Sequence, residues 1–224
     1  MPRTAKERLL VPREKYLSAG VHIGMTSKTA SMKRFIYKIR PSGLAVLNMS
    51  ELDRRLGLAA SMLANYKNIL VVCYKDIGRE PVKKFAEAAG ARSIIGRFMP
   101  GSLTNPSFKA FFEPDIIVVT DPASDKQAIK EATKIRIPII AFSDTFNDTT
   151  CIDLVLPCNN KGKKSLALVY WILAKTIVEK GGEKFATKLE DFGYEQEKEP
   201  EKERMEKEKA LGKTATDILW VSPF

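Results

Sequence analysis

From residue 44 onward, short apolar runs rich in β-branched residues alternate with amphipathic segments of helix-forming composition. Runs such as 68–74 (NILVVCY) and 115–121 (DIIVVTD) are apolar without alternation, which is typical of strands buried on both faces of a parallel sheet. The pattern predicts strands over 44–49, 68–74, 92–96, 115–121, 137–142 and 152–157. We place the strand over 44–49 first in the sheet.

The segments between these runs carry helix start and stop signals, such as the caps Ser50 and Ser124 or Asp125 and the terminal Gly90. They predict helices over 50–66, 79–90, 124–135 and 163–180. Strands that alternate with helices build βαβ units and a parallel sheet covered on both faces. We therefore predict an α/β fold with one doubly wound, mostly parallel sheet, Rossmann-like or flavodoxin-like, and helices on both of its faces.

The net charge of +10 is unevenly distributed along the chain. Residues 1–40 hold ten bases and two acids, whereas residues 183–209 hold seven bases and ten acids. We divide the chain into a basic N-terminal extension over 1–40, an α/β domain over 41–182 and a charged, extended tail over 183–224. A concentrated basic segment favours a polyphosphate partner, with nucleic acid first, although a merely soluble basic surface has the same composition.

Several classes of protein are disfavoured by composition. The longest apolar run, Leu166 to Ala174, is much shorter than the roughly 20 residues of a membrane helix, and the N-terminus has no apolar signal-peptide core. We expect a cytoplasmic protein without a membrane partner. Three cysteines (Cys73, Cys151 and Cys158) and a single histidine fit neither a disulfide framework nor a zinc site, so we expect no metal and no other cofactor.

Motifs for nucleotide chemistry are missing where the fold would need them. No glycine follows the first predicted strand, so the dinucleotide fingerprint is absent. The triplet GKT at 212–214 and the stretch KGKKS at 161–165 lack the first P-loop glycine, because Lys207 and Pro157 stand in its place. The sequence therefore gives no phosphate-binding loop of a known enzyme type.

Isolated polar residues leave two interpretations open. Asp121, Asp125, Asp144 and Asp148 lie on loops that follow strands, where they would hold Mg²⁺ or, as their Pro, Ser and Asn neighbours favour, cap helices and close turns. His22 lies between Gly20 and Gly24 with no nucleophile or acid nearby. We interpret it first as a turn residue, second as an RNA contact and third as a catalytic base, and we expect no catalysis.

Several separate stretches resemble one protein family. They are AGVHIG (19–24), MKRFIYKIRPSGLAVLNM (32–49), GRFMPGSLTNP (96–106), EPDIIVVTDPASDKQAIKEA (113–132) and DLVLPCNNKGKKSLALVYWILA (153–174). Together they are similar to the small-subunit ribosomal protein S-two family, and GRFMPGSLTNP and CNNKG favour its archaeal and eukaryotic, laminin-receptor type. The resemblance covers roughly residues 5 to 182.

The resemblance implies a structural constituent of the small ribosomal subunit that acts in translation without catalysis. Its implied position is between the head and the body of the subunit, with ribosomal RNA and neighbouring ribosomal proteins as partners and no small-molecule substrate. The tail from residue 183 matches nothing specific in the family. Rival interpretations are an α/β enzyme acting on a phosphorylated small molecule and a protein-interaction scaffold that works outside the ribosome through residues 218–224.

An RNA partner presents phosphates, so the RNA-binding candidates are cations. In the N-terminal segment they are Arg3, Lys6, Arg8, Arg13, Lys15, Lys28, Lys33, Arg34, Lys38 and Arg40, and at the start of the last helix they are Lys161, Lys163 and Lys164. Phe35 is expected to pack in the core, whereas Tyr37 has either role, core packing or base stacking. Candidates for protein contacts are Arg97, Lys109, Leu219, Trp220 and Phe224.

Overall fold

The computed structural model describes residues 9–182 and 185–194 of the 224-residue chain. In these ranges helices α1 to α5 span Arg13–Ser18, Met49–Leu63, Arg79–Ala89, Lys126–Ile135 and Lys163–Lys180. Strands β1 to β7 span Ile36–Ile39, Ala45–Leu47, Ile69–Cys73, Arg92–Ile95, Ile116–Val119, Ile139–Ser143 and Leu154–Pro157. Short 3-10 turns lie at Lys33–Phe35, Asp76–Gly78 and Glu190–Phe192.

Five parallel strands form the central sheet in the order β4-β3-β5-β6-β7. Every residue of β3, β5 and β6 is buried, which explains why these strands are apolar without alternation. This is the flavodoxin-like strand order. The chain reverses its winding direction between β3 and β5, and the carboxyl ends of these two strands mark the topological switch point.

Helices cover both faces of this sheet. On one face, side chains of α2, α3 and α5, including Leu56, Phe85 and Tyr170, pack with alternate strand residues in one large apolar cluster. On the other face, Ala128 and Ala132 of α4 pack with the remaining strand residues, together with loop side chains such as Phe98 and Leu103. The prediction of a doubly wound α/β fold is confirmed.

The helix ends follow the predicted signals with small shifts. Helix α2 begins at Met49, and its cap is Asn48 rather than Ser50, because the Asn48 side chain accepts the Ser50 amide at 3.1 Å. Gly90 terminates α3 in the left-handed conformation, with φ of 63°, as the glycine predicted. Helix α5 ends at Lys180, directly before Gly181.

The predicted strand over 44–49 is shorter and lies outside the central sheet. Its strand, β2, pairs antiparallel with β1 in a separate two-stranded sheet. The physical reason is local: the turn between them closes through the Gly43 amide on the Arg40 carbonyl, at 2.9 Å, with Gly43 at φ of 82°. A partner strand within one tight turn removes the need for pairing in the central sheet, so the prediction that this strand begins that sheet was wrong.

The N-terminal segment is packed onto the α/β domain from residue 9 onward. The Tyr16 side chain is fully buried in the main cluster and donates to Asp53 Oδ1 of α2 at 2.7 Å. The Leu10 amide donates to the same oxygen at 3.0 Å. Burial and the Asp53 carboxylate both raise the pKa of Tyr16, so its hydroxyl stays protonated as the donor. Residues 9–40 therefore share the domain's core, while residues 1–8 lie outside the described part.

Residues 185–194, assigned above to the tail, also pack against the domain. Phe192 is fully buried in the main cluster, and Trp171 of α5 donates its indole N–H to the Thr187 carbonyl at 3.1 Å. Within the ranges that the structure describes, no helix combines the length and apolar character that crossing a bilayer requires.

Candidate nucleic-acid interface

A cleft of about 920 Å³ lies between α1, the β1–β2 hairpin and the first turn of α2. Its cationic lining is Arg13, Lys38, Arg40 and Arg54; His22 and Tyr37 join them, and the apolar wall includes Leu17 and Val46. We call this feature the basic cleft. The structure thus brings together three of the predicted cations, Arg13, Lys38 and Arg40, from elements far apart in sequence.

An irregularity in the hairpin lies beside the cleft. Ile36 pairs with Leu47 and Lys38 pairs with Val46, so the register shifts between them and Tyr37 has no partner on β2. An unpaired residue of this kind bends its strand. Tyr37 and Lys38, at this bend, both line the basic cleft.

The carboxylate in the cleft lining is already neutralised. Glu51 Oε1 lies 2.7 Å from Arg54 NH2 and 2.7 Å from Arg55 Nε. The hydrogen bond from Arg54 lowers the pKa of Glu51, and Arg55 adds to this effect against the opposing influence of burial. The positive charge of Arg13, Lys38 and Arg40 therefore dominates the cleft.

His22 lines the basic cleft as a neutral imidazole. Burial and the nearby charge of Arg40 lower the pKa of His22, and together they outweigh the backbone of Tyr16, which raises it. The His22 carbonyl accepts the Leu47 amide at 2.8 Å, which ties the loop to the hairpin. This position agrees with the interpretation as a packed turn residue, and it also leaves the ring beside the predicted cations.

Of the other predicted N-terminal cations, Arg34 has a packing role. Its guanidinium lies 4.7 Å from the ring centroid of Phe35, and that of Arg55 lies 4.6 Å from the same centroid. Phe35 is 2% exposed, so its expected place in the core is confirmed. Lys15, Lys28 and Lys33 are exposed and are not among the residues that line the cleft. Arg3, Lys6 and Arg8 lie outside the described residues.

The second predicted basic site, at the start of α5, is separate from the cleft lining. Lys161 Nζ lies 4.3 Å from the centroid of the Phe146 ring, and Lys163 Nζ lies 3.4 Å from Glu80 Oε2. The Asn159 side chain accepts the amides of Lys161 and Gly162, at 3.0 and 3.2 Å. Part of the anion-binding capacity of this helix start is therefore used by the protein itself.

Arg97 and Lys109, the predicted protein contacts, are exposed on the loop between β4 and β5. No role was predicted for Glu131, yet its buried carboxylate holds this loop by accepting the amides of Gly101 and Leu103 at 2.8 and 3.2 Å. Leu219, Trp220 and Phe224 lie outside the described residues.

Ligands of doubly wound sheets usually bind at the switch point, but here the protein's own side chains occupy it. Lys75 follows β3, Asp121 follows β5, and the Lys75 ammonium lies 2.7 Å from Asp121 Oδ2. Asn147 and Asn160 donate their amide N–H groups to Asp121 Oδ1 at 2.8 and 3.2 Å. We call these four residues the switch-point cluster. Asp121, Asn147 and Asn160 are each at most 1% exposed.

The protonation states in this region follow from those contacts. Burial raises the pKa of Asp121, but the hydrogen bond and charge of Lys75 outweigh it and hold the pKa below its usual value. Burial raises the pKa of the neighbouring Asp125 to about 7, and the charge of Asp121 contributes to the rise. Asp121 is thus a fixed anion, whereas Asp125 is easily protonated.

Three of the four loop carboxylates take the structural role that their neighbours favoured; Asp125, at the cap position of α4, makes no side-chain capping hydrogen bond. Asp121 accepts the Ala123 amide at 3.1 Å, Asp144 accepts the Thr145 amide at 2.6 Å, and Asp148 accepts the Thr150 amide at 3.2 Å. In the described ranges, no three His, Cys, Asp or Glu side chains converge as ligands of a metal ion do. These loops are closed by their own hydrogen bonds.

Comparison with known proteins identifies the family. The model of the family "Ribosomal protein S2" matches residues 16–110 and 108–180. The small ribosomal subunit protein uS2 of the archaeon Haloquadratum walsbyi (strain DSM 16790 / HBSQ001) is 50% identical over 189 residues, which are 84% of this chain and 68% of that protein. The chain belongs to the ribosomal protein S2 family.

Membership in the ribosomal protein S2 family agrees with a switch point that is occupied by the protein's own side chains. Members are structural constituents of the small ribosomal subunit and function in translation without catalysis. The resemblance seen in the sequence, including its archaeal character, is confirmed. Arg54, a cation of the basic cleft, was not predicted from the sequence because it lies among helix-forming residues. The one sequence feature that marks it is its place in the first turns of α2, which follows β2.

Proposed function

We propose that this ribosomal protein binds ribosomal RNA of the small subunit through the basic cleft. The observation that carries the proposal is the convergence of Arg13, Lys38, Arg40 and Arg54 on one cleft whose carboxylate is already paired with arginines. Lysine and arginine side chains that neutralise phosphates displace counterions, and this release supplies most of the sequence-independent affinity for RNA.

Other cations extend the proposed RNA surface. Lys15, Lys28 and Lys33 are exposed in the same N-terminal segment. Lys161, Lys163 and Lys164 at the start of α5 form a second, weaker patch in the proposal, since Lys161 also packs on Phe146 and Lys163 also faces Glu80. Arg34 contributes to both packing and charge. Arg3, Lys6 and Arg8 belong to the proposal on sequence grounds alone.

We further propose that neighbouring ribosomal proteins contact the loop that carries Arg97 and Lys109, and the chain end with Leu219, Trp220 and Phe224. The loop suits such a contact because Glu131 fixes its backbone while its charged side chains remain exposed. In the assembled particle the protein would lie between the head and the body of the subunit, in the cytoplasm. The packing of residues 9–40 and 185–194 supports a folded unit that is longer at both ends than residues 41–182.

Binding to small ribosomal subunits that lack the protein tests the proposed RNA surface. The test variant is Arg13→Ala/Lys38→Ala/Arg40→Ala, and the matched control is Lys126→Ala/Lys130→Ala/Lys134→Ala, which removes the same charge from exposed positions of α4. We expect the cleft variant to co-sediment with the subunits at least about tenfold more weakly at moderate salt, and the α4 variant to bind like the wild type. Equal binding by both variants would refute the assignment of the RNA surface to the cleft.

A further inference from the structure

We propose that the basic cleft takes unpaired nucleotides of RNA, with a base stacked on Tyr37, in preference to the backbone of a duplex. The inference rests on the proposed function, since it specifies the form of RNA that the same cleft recognises. It adds an aromatic contact to what the cations alone would provide.

Tyr37 is exposed beside the cations of the cleft. Tyr37 is 72% exposed, whereas Phe35, two residues earlier, is 2% exposed in a small core cluster. The register shift leaves Tyr37 without a partner on β2, and Tyr37 lines the cleft. Aromatic rings on which bases stack, placed along a positively charged groove, are common in proteins that bind single-stranded nucleic acid.

The cleft is large enough for an inserted base. Duplex RNA has a deep, narrow major groove, and proteins bind it largely through its shape and through phosphates and 2′-hydroxyls across the minor groove. A cleft of about 920 Å³ instead has room for bases that leave the helix. Its apolar wall of Leu17 and Val46 contributes nothing to a phosphate but offers contact to a base face.

Polar groups border that wall. Arg13, Lys38 and Arg40 line the cleft and suit phosphates on either side of an inserted base. His22 also lines the cleft, but its Nδ1 is buried and cannot reach a base edge. A stacking surface and phosphate partners therefore meet in one place.

Equilibrium binding to two defined RNA probes tests the inference with the full chain. The probes are a fluorescein-labelled single-stranded RNA of 12 nucleotides without self-complementarity and a blunt duplex of 12 base pairs with the same sequence. The variants are Tyr37→Ala, Tyr37→Phe and Tyr74→Ala, the last removing a tyrosine that is 53% exposed after β3. Urea unfolding of each variant verifies that it is folded.

We expect the wild type to bind the single strand more tightly than the duplex. Tyr37→Ala should weaken single-strand binding about tenfold and duplex binding less than twofold, because stacking on one aromatic ring is lost. Tyr37→Phe keeps the ring and Tyr74→Ala leaves the cleft intact, so both should bind like the wild type.

Two contrary results have separate meanings. If Tyr37→Ala binds both probes like the wild type, or weakens both equally, while Arg13→Ala/Lys38→Ala/Arg40→Ala still weakens both, the inference is overturned and the proposed function stands. If the triple cleft variant binds both probes like the wild type, the proposed function itself is overturned.

Discussion

The switch-point cluster and the basic cleft are both rich in charged groups, but only the cleft presents its charges to solvent. In the switch-point cluster Asp121 is 1% exposed and holds Lys75 at 2.7 Å, so each charge has its partner inside the protein. In the basic cleft Arg13, Lys38 and Arg40 are exposed, and the carboxylate of Glu51 is paired with Arg54 and Arg55.

In this chain the region where doubly wound proteins usually bind ligands has a structural role. The carboxyl ends of parallel strands are the usual binding site of doubly wound proteins, and in this chain they are closed by an ion pair between the ends of β3 and β5. The proposed RNA surface lies instead on the N-terminal segment and hairpin, which pack beside the sheet. The usual ligand site of a fold therefore does not determine where a particular chain binds its partner.

The largest loss of stability should come from removing the carboxylate of the switch-point cluster. Asp121→Ala leaves Lys75 buried without its partner and removes the acceptor of two asparagine amides. Breaking a buried pair from one side costs about 3–5 kcal/mol of unfolding free energy. Urea unfolding measures the loss, and Asp148→Ala, an exposed carboxylate in the neighbouring loop, is the control with less than about 1 kcal/mol. A loss for Asp121→Ala as small as that of the control would contradict a structural role for the cluster.

A second effect, spread over about three pH units, should follow from the neighbouring Asp125. Its pKa in the folded chain is about 7, above the value of about 3.9 in an unfolded chain, so the folded state binds the proton more tightly. The contribution of Asp125 to the free energy of unfolding is fully present below about pH 4. It is lost as the pH rises through 7, at no more than about 1.4 kcal/mol per pH unit.

Asp125→Asn should therefore remove part of the loss of stability between pH 4 and pH 8. The variant should unfold at a higher urea concentration than the wild type at pH 8, and at nearly the same concentration at pH 4. If the free energies of unfolding of the two proteins change with pH in parallel over this range, ionisation of Asp125 does not destabilise the folded state as predicted.

The sheet was predictable because its signal is local and strong. The runs 68–74, 115–121 and 137–142 each have a continuous apolar centre, and each contains a strand that is buried along its whole length. The caps and terminal glycines predicted the helix ends to within a few residues, as the shift from Ser50 to Met49 shows. Hydrophobic periodicity and turn residues thus predict most of the α/β fold.

The cleft was only partly predictable because its geometry depends on contacts between distant residues. Arg13, Lys38 and Arg40 were candidates from charge alone, but Arg54 was not, and nothing in the sequence shows that the four meet. Phe35 and Tyr37 each adjoin a basic residue, yet Phe35 ends a 3-10 turn and is buried, whereas Tyr37 lies on β1 at the register shift and is exposed.

The role of the charged residues in the switch-point cluster was harder still to predict from the sequence. Lys75 and Asp121 are separated by 45 intervening positions and meet only because β3 and β5 are neighbours in the sheet. From the sequence alone, Asp121 had two interpretations, a Mg²⁺ ligand or a turn residue. Its ion pair with Lys75 and its hydrogen bonds from the asparagine amides favour the structural role.

The salt dependence of RNA affinity tests most directly whether the basic cleft is the RNA surface. The dissociation constant for the single-stranded probe would be measured from low to moderate salt for the wild type, for Arg13→Ala/Lys38→Ala/Arg40→Ala and for Lys126→Ala/Lys130→Ala/Lys134→Ala. Each lost phosphate contact flattens the slope of log K against log salt by about 0.7 on a single strand. We predict a slope shallower by about 2 for the cleft variant and an unchanged slope for the α4 variant. Equal slopes for the two variants would contradict the assignment of RNA binding to the cleft.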